Sequence, residues 1–375
     1  MAGVTLMDIA RAVGLSKNAV WLALRDDPQI PERTRARVRK AATLLGYQSN
    51  ALVSHLMAQL RRSRTTRFQA KLALVNANLD PHALEQHPTI PTYVAGCESR
   101  AARLGYSFDR FWLHDPSLSA ASWERILRTR GIKGLILVGL MDTNRLPAHL
   151  QPLWEAFPTV VTGVRTRDPA LSFCCVDHHN LTLCAFEKAL ALGYRRPALL
   201  LDGVIDELVE RRFSAGFLTA QRQLPRAQQI PIFQDLGVSG GAPPRRFWQW
   251  LERYQPDVVF TLYNRIIHWL EEDGRKIPDD IGVIQLEWRE TRPEIAGMHQ
   301  HNQVTGEAAV DMVVSQIHNQ ETGRQEFPRA TLIGATWRDG TSMRDLTQSR
   351  TRVPRLARRR GAAELPTRSR SGRIR

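Results

Sequence analysis

Several features that define other classes of protein are scarce in this 375-residue sequence. It has only four cysteines, without metal-like spacing, which excludes a disulfide scaffold and predicts reduced thiols. Its longest apolar runs, such as residues 134–140, are far shorter than the roughly 20 residues of a membrane-spanning helix, so we expect no membrane partner. The first fourteen residues carry Asp8 and Arg11, where a secretory signal would be apolar. The sequence therefore predicts a cytoplasmic location.

The motifs of common enzyme classes are also lacking. No phosphate-binding glycine loop, dinucleotide-binding fingerprint or nucleophile elbow stands where a strand turns into a helix. The pair His178-His179 and the segment His299-Gln300-His301 have no carboxylate or cysteine at ligand spacing, so we interpret both as polar loops. We predict no catalytic residues, no metal site and no cofactor.

Positive charge is concentrated at the two ends of the chain. The formal net charge is +15, from 52 Lys plus Arg and 37 Asp plus Glu. Residues 1–67 hold 12 basic and 4 acidic side chains and residues 344–375 hold 11 and 2, whereas the segment between them is nearly neutral. Basic segments usually bind a polyanion, and nucleic acid is the first such partner to expect. The Arg-rich segment 344–375 has few large apolar residues, so we expect a disordered tail that is either solvated or adds DNA affinity.

The N-terminal segment has the pattern of three short helices. Thr5 begins a capping-box pattern, and Gly14 is suited to end the first helix because glycine tolerates a left-handed backbone. Ser16 can cap a second helix over residues 17–24, and a third helix is predicted over residues 31–45. Two short helices joined by a tight turn, with a third behind them, are typical of the helix-turn-helix fold, whose second helix enters the major groove.

The residues of this segment point to a particular family. Val4-Thr5-Leu6-Met7-Asp8-Ile9-Ala10, Gly14-Leu15-Ser16 and Leu45-Gly46-Tyr47 closely resemble the LacI (GalR-type) family of bacterial transcriptional regulators, and residues 50–56 are similar to its hinge helix. The resemblance implies a DNA-binding head over residues 1–48 and a hinge helix with a basic linker over residues 49–67. It also implies that Leu56 wedges into the minor groove and kinks the duplex. The alternative is that Leu56 is a buried residue of a linker helix.

The recognition helix departs from the family pattern, which changes the expected operator more than DNA binding itself. The position that often supplies a base-reading arginine is Leu22, which can touch a thymine methyl group but cannot form the bidentate guanine contact. Lys17 and Asn18 would then make the contacts to base edges. Trp21 would either stack on the DNA backbone or pack on the surface of the head. The predicted DNA-binding residues are Thr5, Ser16, Lys17, Asn18, Trp21, Leu22, Asn50 and Leu56.

Strands and helices alternate over residues 68–343, which form the predicted body. A second series opens with the strand at residues 197–201, and the helical segments 207–223 and 306–319 are predicted to continue it. Continuous apolar strands predict parallel sheets covered by helices on both faces, and about 276 residues suit two such lobes better than one. The segments that again resemble the family are residues 131–137, 191–197 and 274–283. The resemblance implies an α/β fold with a two-lobed, periplasmic-binding-protein-like body for effector binding and dimerisation. Its effector would bind between the lobes, at the carboxyl ends of the strands.

Several effector positions of the family are altered. The pocket arginine is replaced by Phe213, with Arg212 one place away, and the usual Asn-Asp is Tyr263-Asn264. Arginines and carboxylates clamp sugar hydroxyls by charge-assisted hydrogen bonds, so these changes weaken the expectation of an ordinary sugar. A sugar or a related metabolite is still the expected class of effector. The candidate effector-binding residues are Trp112, Arg165, Asp177, Arg212, Asn264, Glu287 and Trp288.

Together these features predict a homodimeric, effector-responsive transcriptional regulator, with repression as the expected mode, rather than an enzyme. Its heads would bind palindromic double-stranded operator DNA, because the two-fold axis of the dimer must be matched in the DNA. Two other classes stay open. An exported small-molecule binding protein would need a signal and no helical head, and an enzyme would need a clustered acid, base or nucleophile.

Overall fold

The computed structural model describes residues 6–24, 27–45, 70–236, 243–321, 323 and 325–347. Thr5, the predicted hinge with Asn50 and Leu56, and the tail after Thr347 lie outside the described residues. The helices are α1 (Leu6–Val13), α2 (Lys17–Leu24), α3 (Glu32–Leu44), α4 (Ala83–Gln86), α5 (Ile90–Leu104), α6 (Ala120–Thr129), α7 (Gln151–Ala156), α8 (His178–Ala191), α9 (Gly203–Leu208), α10 (Arg212–Gln221), α11 (Arg245–Tyr254), α12 (Asn264–Glu272) and α13 (Asn302–His318). The strands are β1 (Ala70–Asn76), β2 (Tyr106–Trp112), β3 (Ile132–Val138), β4 (Thr159–Thr162), β5 (Ser172–Val176), β6 (Pro197–Leu200), β7 (Val258–Thr261), β8 (Gly282–Gln285), β9 (Gly297–His299), β10 (Ala330–Ile333) and β11 (Thr336–Arg338).

The head is a three-helix unit with its own small core. Ile9, Val20 and Val38, one from each helix, are fully buried against one another. Gly14 has a φ of +65°, the left-handed backbone that ends α1, and α2 begins three residues later. The second helix spans the residues expected from its cap and periodicity. The predicted helix-turn-helix fold is therefore confirmed.

The first lobe of the body is built on a fully parallel six-stranded sheet in the order β10-β5-β4-β3-β1-β2. Helices α5 and α13 cover one face, where apolar residues from α13 meet those of β3 and β5. The two helices cross closely, because a Cβ atom on Gly96 would overlap the carbonyl oxygen of Gln303, and one on Gly306 that of Tyr93. Glycine is thus required at this crossing for its small size.

The second lobe contains a five-stranded sheet in the order β11-β9-β8-β7-β6. Its core includes an aromatic cluster of Phe186, Phe217 and Phe260, whose ring centroids lie 5.3 to 6.0 Å apart. Four strands run parallel, but β11 pairs antiparallel to β9. The expectation of parallel sheets was wrong at this edge. Strand β11 follows β10 of the first lobe after only two residues, and it enters its sheet directly, without a crossover helix.

The chain passes between the lobes three times, at residues 176–178, 299–302 and 333–336. Residues 306–319 follow the second series of strands in the sequence, and we expected them to continue that lobe. They belong instead to α13, which covers the first sheet. The prediction was wrong because apolar periodicity shows which helix face is buried but does not show against which sheet.

One predicted helix is divided in two. Residues 207–223 show continuous helical periodicity, but the structure has α9 and α10 there. Glu210 and Arg211 between them have φ values of +59° and +57°. This left-handed backbone cannot continue a right-handed helix, so the chain turns and starts again at Arg212.

The described part of the body extends four residues past the predicted boundary at 343. The Leu346 N–H donates to the Leu192 carbonyl at 2.8 Å, and the Arg344 guanidinium contacts the Asp279 carboxylate at 2.8 Å. All four cysteines are free thiols. Among the helices of the described ranges, none is long and apolar enough to cross a membrane.

Candidate functional site

The second helix of the head begins with a residue, Lys17, that is exposed to solvent. The Ser16 hydroxyl accepts a hydrogen bond from the Ala19 N–H at 3.2 Å, so Ser16 caps α2 as expected. Val20 and Ala23 are buried beneath the helix, whereas Lys17 is exposed and Leu22 is half-buried. The predicted residues Asn18 and Trp21 lie on α2, but their side chains are outside the described part of the head.

The third helix holds the first in place and adds positive charge. The Arg37 guanidinium donates to the Val13 carbonyl at 3.1 Å, at the C-terminal end of α1 where a cation is favoured by the helix dipole. Arg33, Arg39 and Lys40 on the same helix are exposed. The head therefore combines a capped helix that begins at an exposed lysine with exposed cations on the third helix, a combination that suits binding to a polyanion.

A cleft of about 690 Å³ lies between the lobes. It is lined by residues at the carboxyl ends of strands from both sheets: Gly139 after β3, Thr162 at the end of β4, His178 after β5, Leu262 after β7 and Glu287 after β8. Parallel sheets place their ligand sites at this edge, as expected from the sequence.

Two of the seven candidate effector residues, Asn264 and Glu287, line this cleft. The Trp112 indole N–H instead donates to the Asn78 carbonyl at 2.9 Å. Asp177 caps α8, where its carboxylate accepts the Asn180 N–H at 3.1 Å. Neither Trp112 nor Asp177 is among the residues that line the cleft.

The other three candidates also lie outside the cleft lining. Arg165 and Arg212 share the carboxylate of Glu210, at 3.5 and 2.7 Å, and both guanidinium groups lie over the ring of Phe173. Trp288 packs against His299, with ring centroids 5.5 Å apart. These side chains make contacts within the body and do not line the cleft.

Arg289 ties the two lobes together at the cleft, and its role was missed from the sequence. It comes from the second lobe, yet its guanidinium donates to the Pro88 carbonyl at 2.7 Å and the Thr89 hydroxyl at 3.1 Å in the first. It also pairs with Glu287 at 2.9 Å, and Glu287 accepts a further hydrogen bond from Asn302 at 3.2 Å. Opening the lobes would break the Arg289 contacts with Pro88 and Thr89.

The histidines and tyrosines of the cleft are uncharged near neutral pH. Burial, with a smaller contribution from Arg212, lowers the pKa of His178 to about 3. Burial also lowers the pKa of His87 and raises the pKa of Tyr93 and Tyr263. These four side chains therefore offer neutral donors and acceptors to a ligand.

The histidine motifs are not the polar loops that we expected. His178 and His179 begin α8, and His178 is 5% exposed, with its ring centroid 4.6 Å from that of Phe213. His299 ends β9, and its Nδ1 lies 2.9 Å from the Nδ1 of His301. Within the described segments, no group of three or more His, Cys, Asp or Glu residues is placed to hold a metal ion.

Comparisons with known proteins agree with both parts of the molecule. Residues 5–50 match the model of bacterial regulatory proteins of the lacI family, and residues 186–343 match a periplasmic binding protein-like domain. The ribose operon repressor of Escherichia coli is 24% identical over 344 residues, which are 88% of this chain and 97% of that repressor. The lactose operon repressor of the same organism is 24% identical over 347 residues, 88% of this chain and 89% of the repressor.

A shorter match is found with the transcriptional regulator MalR of Streptococcus pneumoniae. It is 23% identical over 197 residues, which are 52% of this chain. The matched part of the chain spans 56% of MalR, or about half the length of that relative.

Solved structures show the same fold. The regulator CelR in complex with cellobiose is 20% identical and has a TM-score of 0.54, over 90% of this chain and 99% of that one. The Lac repressor dimer bound to operator and the anti-inducer ONPF is 20% identical and has a TM-score of 0.53. The match covers 91% of this chain and 100% of that one. A lacI-type head and a periplasmic binding protein-like domain therefore occur on one chain, and full-length repressors are among the proteins to which this chain is similar.

Proposed function

We propose that this protein is a sequence-specific DNA-binding transcriptional repressor whose operator affinity is controlled by a small molecule in the interlobe cleft. The observation that carries the proposal is the presence on one chain of an exposed, Ser16-capped helix in a cationic head and a two-lobed body with a ligand-sized cleft. The relatives named as ribose and lactose operon repressors support the same function. No comparable observation among the described residues supports an enzymatic function.

In this proposal the protein acts as a homodimer on a palindromic operator. The second helix of each head enters the major groove, with Lys17 and Asn18 at base edges and Leu22 against a thymine methyl group. Leu56 of the hinge wedges into the minor groove. The remaining DNA contacts come from Thr5, Ser16, Trp21 and Asn50.

The effector acts by favouring one arrangement of the lobes. Arg289 contacts Pro88 and Thr89 only when the lobes are close together, so a ligand that contacts both walls favours this state. A ligand shifts the equilibrium only by the difference of its affinities for the two arrangements. CelR was solved with cellobiose and a regulator from Enterococcus faecium with ribose, which supports a sugar or related metabolite here.

Selection from a random pool of duplex DNA tests the proposal. We expect the full chain to enrich a palindromic sequence and to bind it more tightly than random duplex in fluorescence-anisotropy titrations. Specific affinities typically exceed non-specific ones by roughly 10³-fold or more. If no sequence is enriched and no duplex is bound even at low salt, the protein is not a DNA-binding regulator.

Leu56→Ala is expected to weaken binding to the selected operator by about tenfold or more and to leave binding to random duplex nearly unchanged. The reason is that an apolar wedge stabilises only a duplex bent at the right step, whereas non-specific binding depends on phosphate contacts. Anisotropy titrations on both duplexes give the two affinities. Leu60→Ala, the same change beyond the predicted hinge helix, is the matched control. Equal losses on the two duplexes would show that Leu56 is not a wedge.

A further inference from the structure

Arg265 is a cation of the cleft without an anionic partner among the described residues. Its guanidinium lies 4.7 Å from the ring centroid of Tyr263 and 5.7 Å from that of Trp269. Its Nε is buried and has no hydrogen-bond acceptor within the described ranges. The aromatic contacts use the faces of the guanidinium, whereas its N–H donors lie in its plane. The Nη donors, for which no hydrogen bond or ion pair is found among the described residues either, are therefore available to a ligand, and the buried Nε remains an unsatisfied donor beside them.

The start of α12 presents further donors at the same place. The helix spans nine residues from Asn264, a cleft residue, and Tyr263 before it provides no side-chain cap. The first N–H groups of a helix have no partner within it, and the helix dipole makes this end positive. Here the Ile266 N–H donates to the Tyr263 carbonyl at 3.2 Å. Within the described ranges, the open donors are therefore the N–H groups of Asn264 and Arg265. An anion is the ligand that such a terminus favours.

His178 provides an independent indication that a polar ligand binds here. It lines the cleft with 5% of its surface exposed, and its Nδ1 has no hydrogen-bond partner in the described part of the chain. A buried polar atom without a partner is costly and rare in folded proteins. Since the ring is neutral, one nitrogen can donate a hydrogen bond and the other can accept one.

The charges of the cleft leave Arg265 uncompensated. Glu287 is the one carboxylate among the described residues that line it. That carboxylate is already bound by Arg289 at 2.9 Å and by Asn302 at 3.2 Å. The pair formed by Glu287 and Arg289 is neutral, so the cleft carries one net positive charge, from Arg265.

We infer that the cleft binds a small polar molecule with an anionic group, a carboxylate or a phosphate, and that Arg265 and the start of α12 bind this group. The inference rests on the proposed function in taking the cleft as the effector site. It goes further in the class of ligand, which is an acid or a phosphate ester of a sugar-like molecule rather than a neutral sugar.

Thermal melting of the full chain without DNA tests this inference. The probes are D-glucuronate, D-galacturonate, D-gluconate and D-glucose 6-phosphate, each compared with D-glucose and D-galactose at equal ionic strength. We expect at least one anion to raise the Tm, while the neutral sugars leave it unchanged. The carboxylates and the phosphate ester, as separate arms, show which anionic group is bound.

Substitution of the arginine ties the effect to this site. Arg265→Gln should raise the Kd for the stabilising anion by roughly tenfold to a hundredfold, the range for loss of a charge-assisted hydrogen bond. Arg265→Lys should retain part of the affinity because it keeps the charge. Arg253→Gln removes an arginine that also lies over a tyrosine, at 5.4 Å from the Tyr254 ring, but does not line the cleft. The Kd of the Arg253→Gln variant for the same anion should equal that of the unsubstituted protein.

Three results would overturn the inference: a neutral sugar that raises the Tm as much as its acid, an anion affinity that survives in Arg265→Gln, or no response to any of the anions. If Arg265→Gln fails to fold, the comparison of acids with neutral sugars and the Arg265→Lys variant still decide. Operator binding is measured separately by anisotropy. Anion binding without DNA binding would contradict only the proposed function, and DNA binding that responds to a neutral sugar would contradict only this inference.

Discussion

Gly96→Val is expected to lower the free energy of unfolding by about 3 kcal/mol or more, at the upper end of the usual cost of overpacking. A Cβ atom at this position would overlap the carbonyl oxygen of Gln303, at the crossing of α5 with α13. Backbone cannot rotate away as a side chain does, so the two helices must separate. Urea unfolding, monitored by circular dichroism, measures the change in the free energy of unfolding.

The matched control for this variant is Gly203→Val in α9. A Cβ atom at Gly203 meets no other atom within 4 Å, and the residue does not require a left-handed backbone. Its unfolding midpoint should stay close to that of the natural protein. Equal midpoints for the two variants would show that the helices can move apart without loss, and that close packing at the crossing does not stabilise the lobe.

Val38→Asp is expected to abolish binding to the selected operator while the body keeps its fold. Val38 is fully buried in the head, where the core is formed by only a few side chains such as Ile9 and Val20. A carboxylate without a partner in an apolar core costs several kcal/mol, which exceeds what so small a core can supply. Anisotropy with operator DNA should show the loss, and thermal melting should show an unchanged transition of the body.

Ala36→Asp is the control for the head. It adds the same carboxylate two residues earlier on α3, at an exposed position. The added negative charge should weaken operator binding only modestly, through screened repulsion with the phosphates. If Val38→Asp binds the operator as well as Ala36→Asp does, the three-helix core is not needed for DNA binding.

The head could be predicted closely from the sequence because its signals are local. A cap at Ser16, a left-handed glycine at Gly14 and helical periodicity all act within a few residues. The divided helix α9–α10 shows the limit of such signals. Apolar periodicity continues through Glu210 and Arg211, and the left-handed backbone that interrupts the helix there is a property of the tertiary structure.

The cleft was only partly predictable for the same reason. Asn264 and Glu287 were found because they stand at positions where the resembled family has effector-binding residues, and both follow strands whose ends meet at one edge of the sheet. His178 was missed because β5 before it contains serine and cysteines and was not recognised as a strand. Arg212 stands next to the family position, yet it pairs with Glu210 and Cys175. The partner of an arginine is set by the whole fold and is not encoded nearby in the sequence.

The three passages between the lobes have a consequence for how the protein is made. Neither lobe is encoded by one continuous stretch. The first sheet lacks its covering helix α13 until residue 318 has been synthesised, and its edge strand β10 until residue 333. A nascent chain on the ribosome therefore lacks part of the cover over the apolar faces of β3 and β5 from the synthesis of these strands until α13 is complete. The body should thus fold late during translation and in a cooperative step. Until then, the exposed apolar surface of the growing chain is of the kind that chaperones bind.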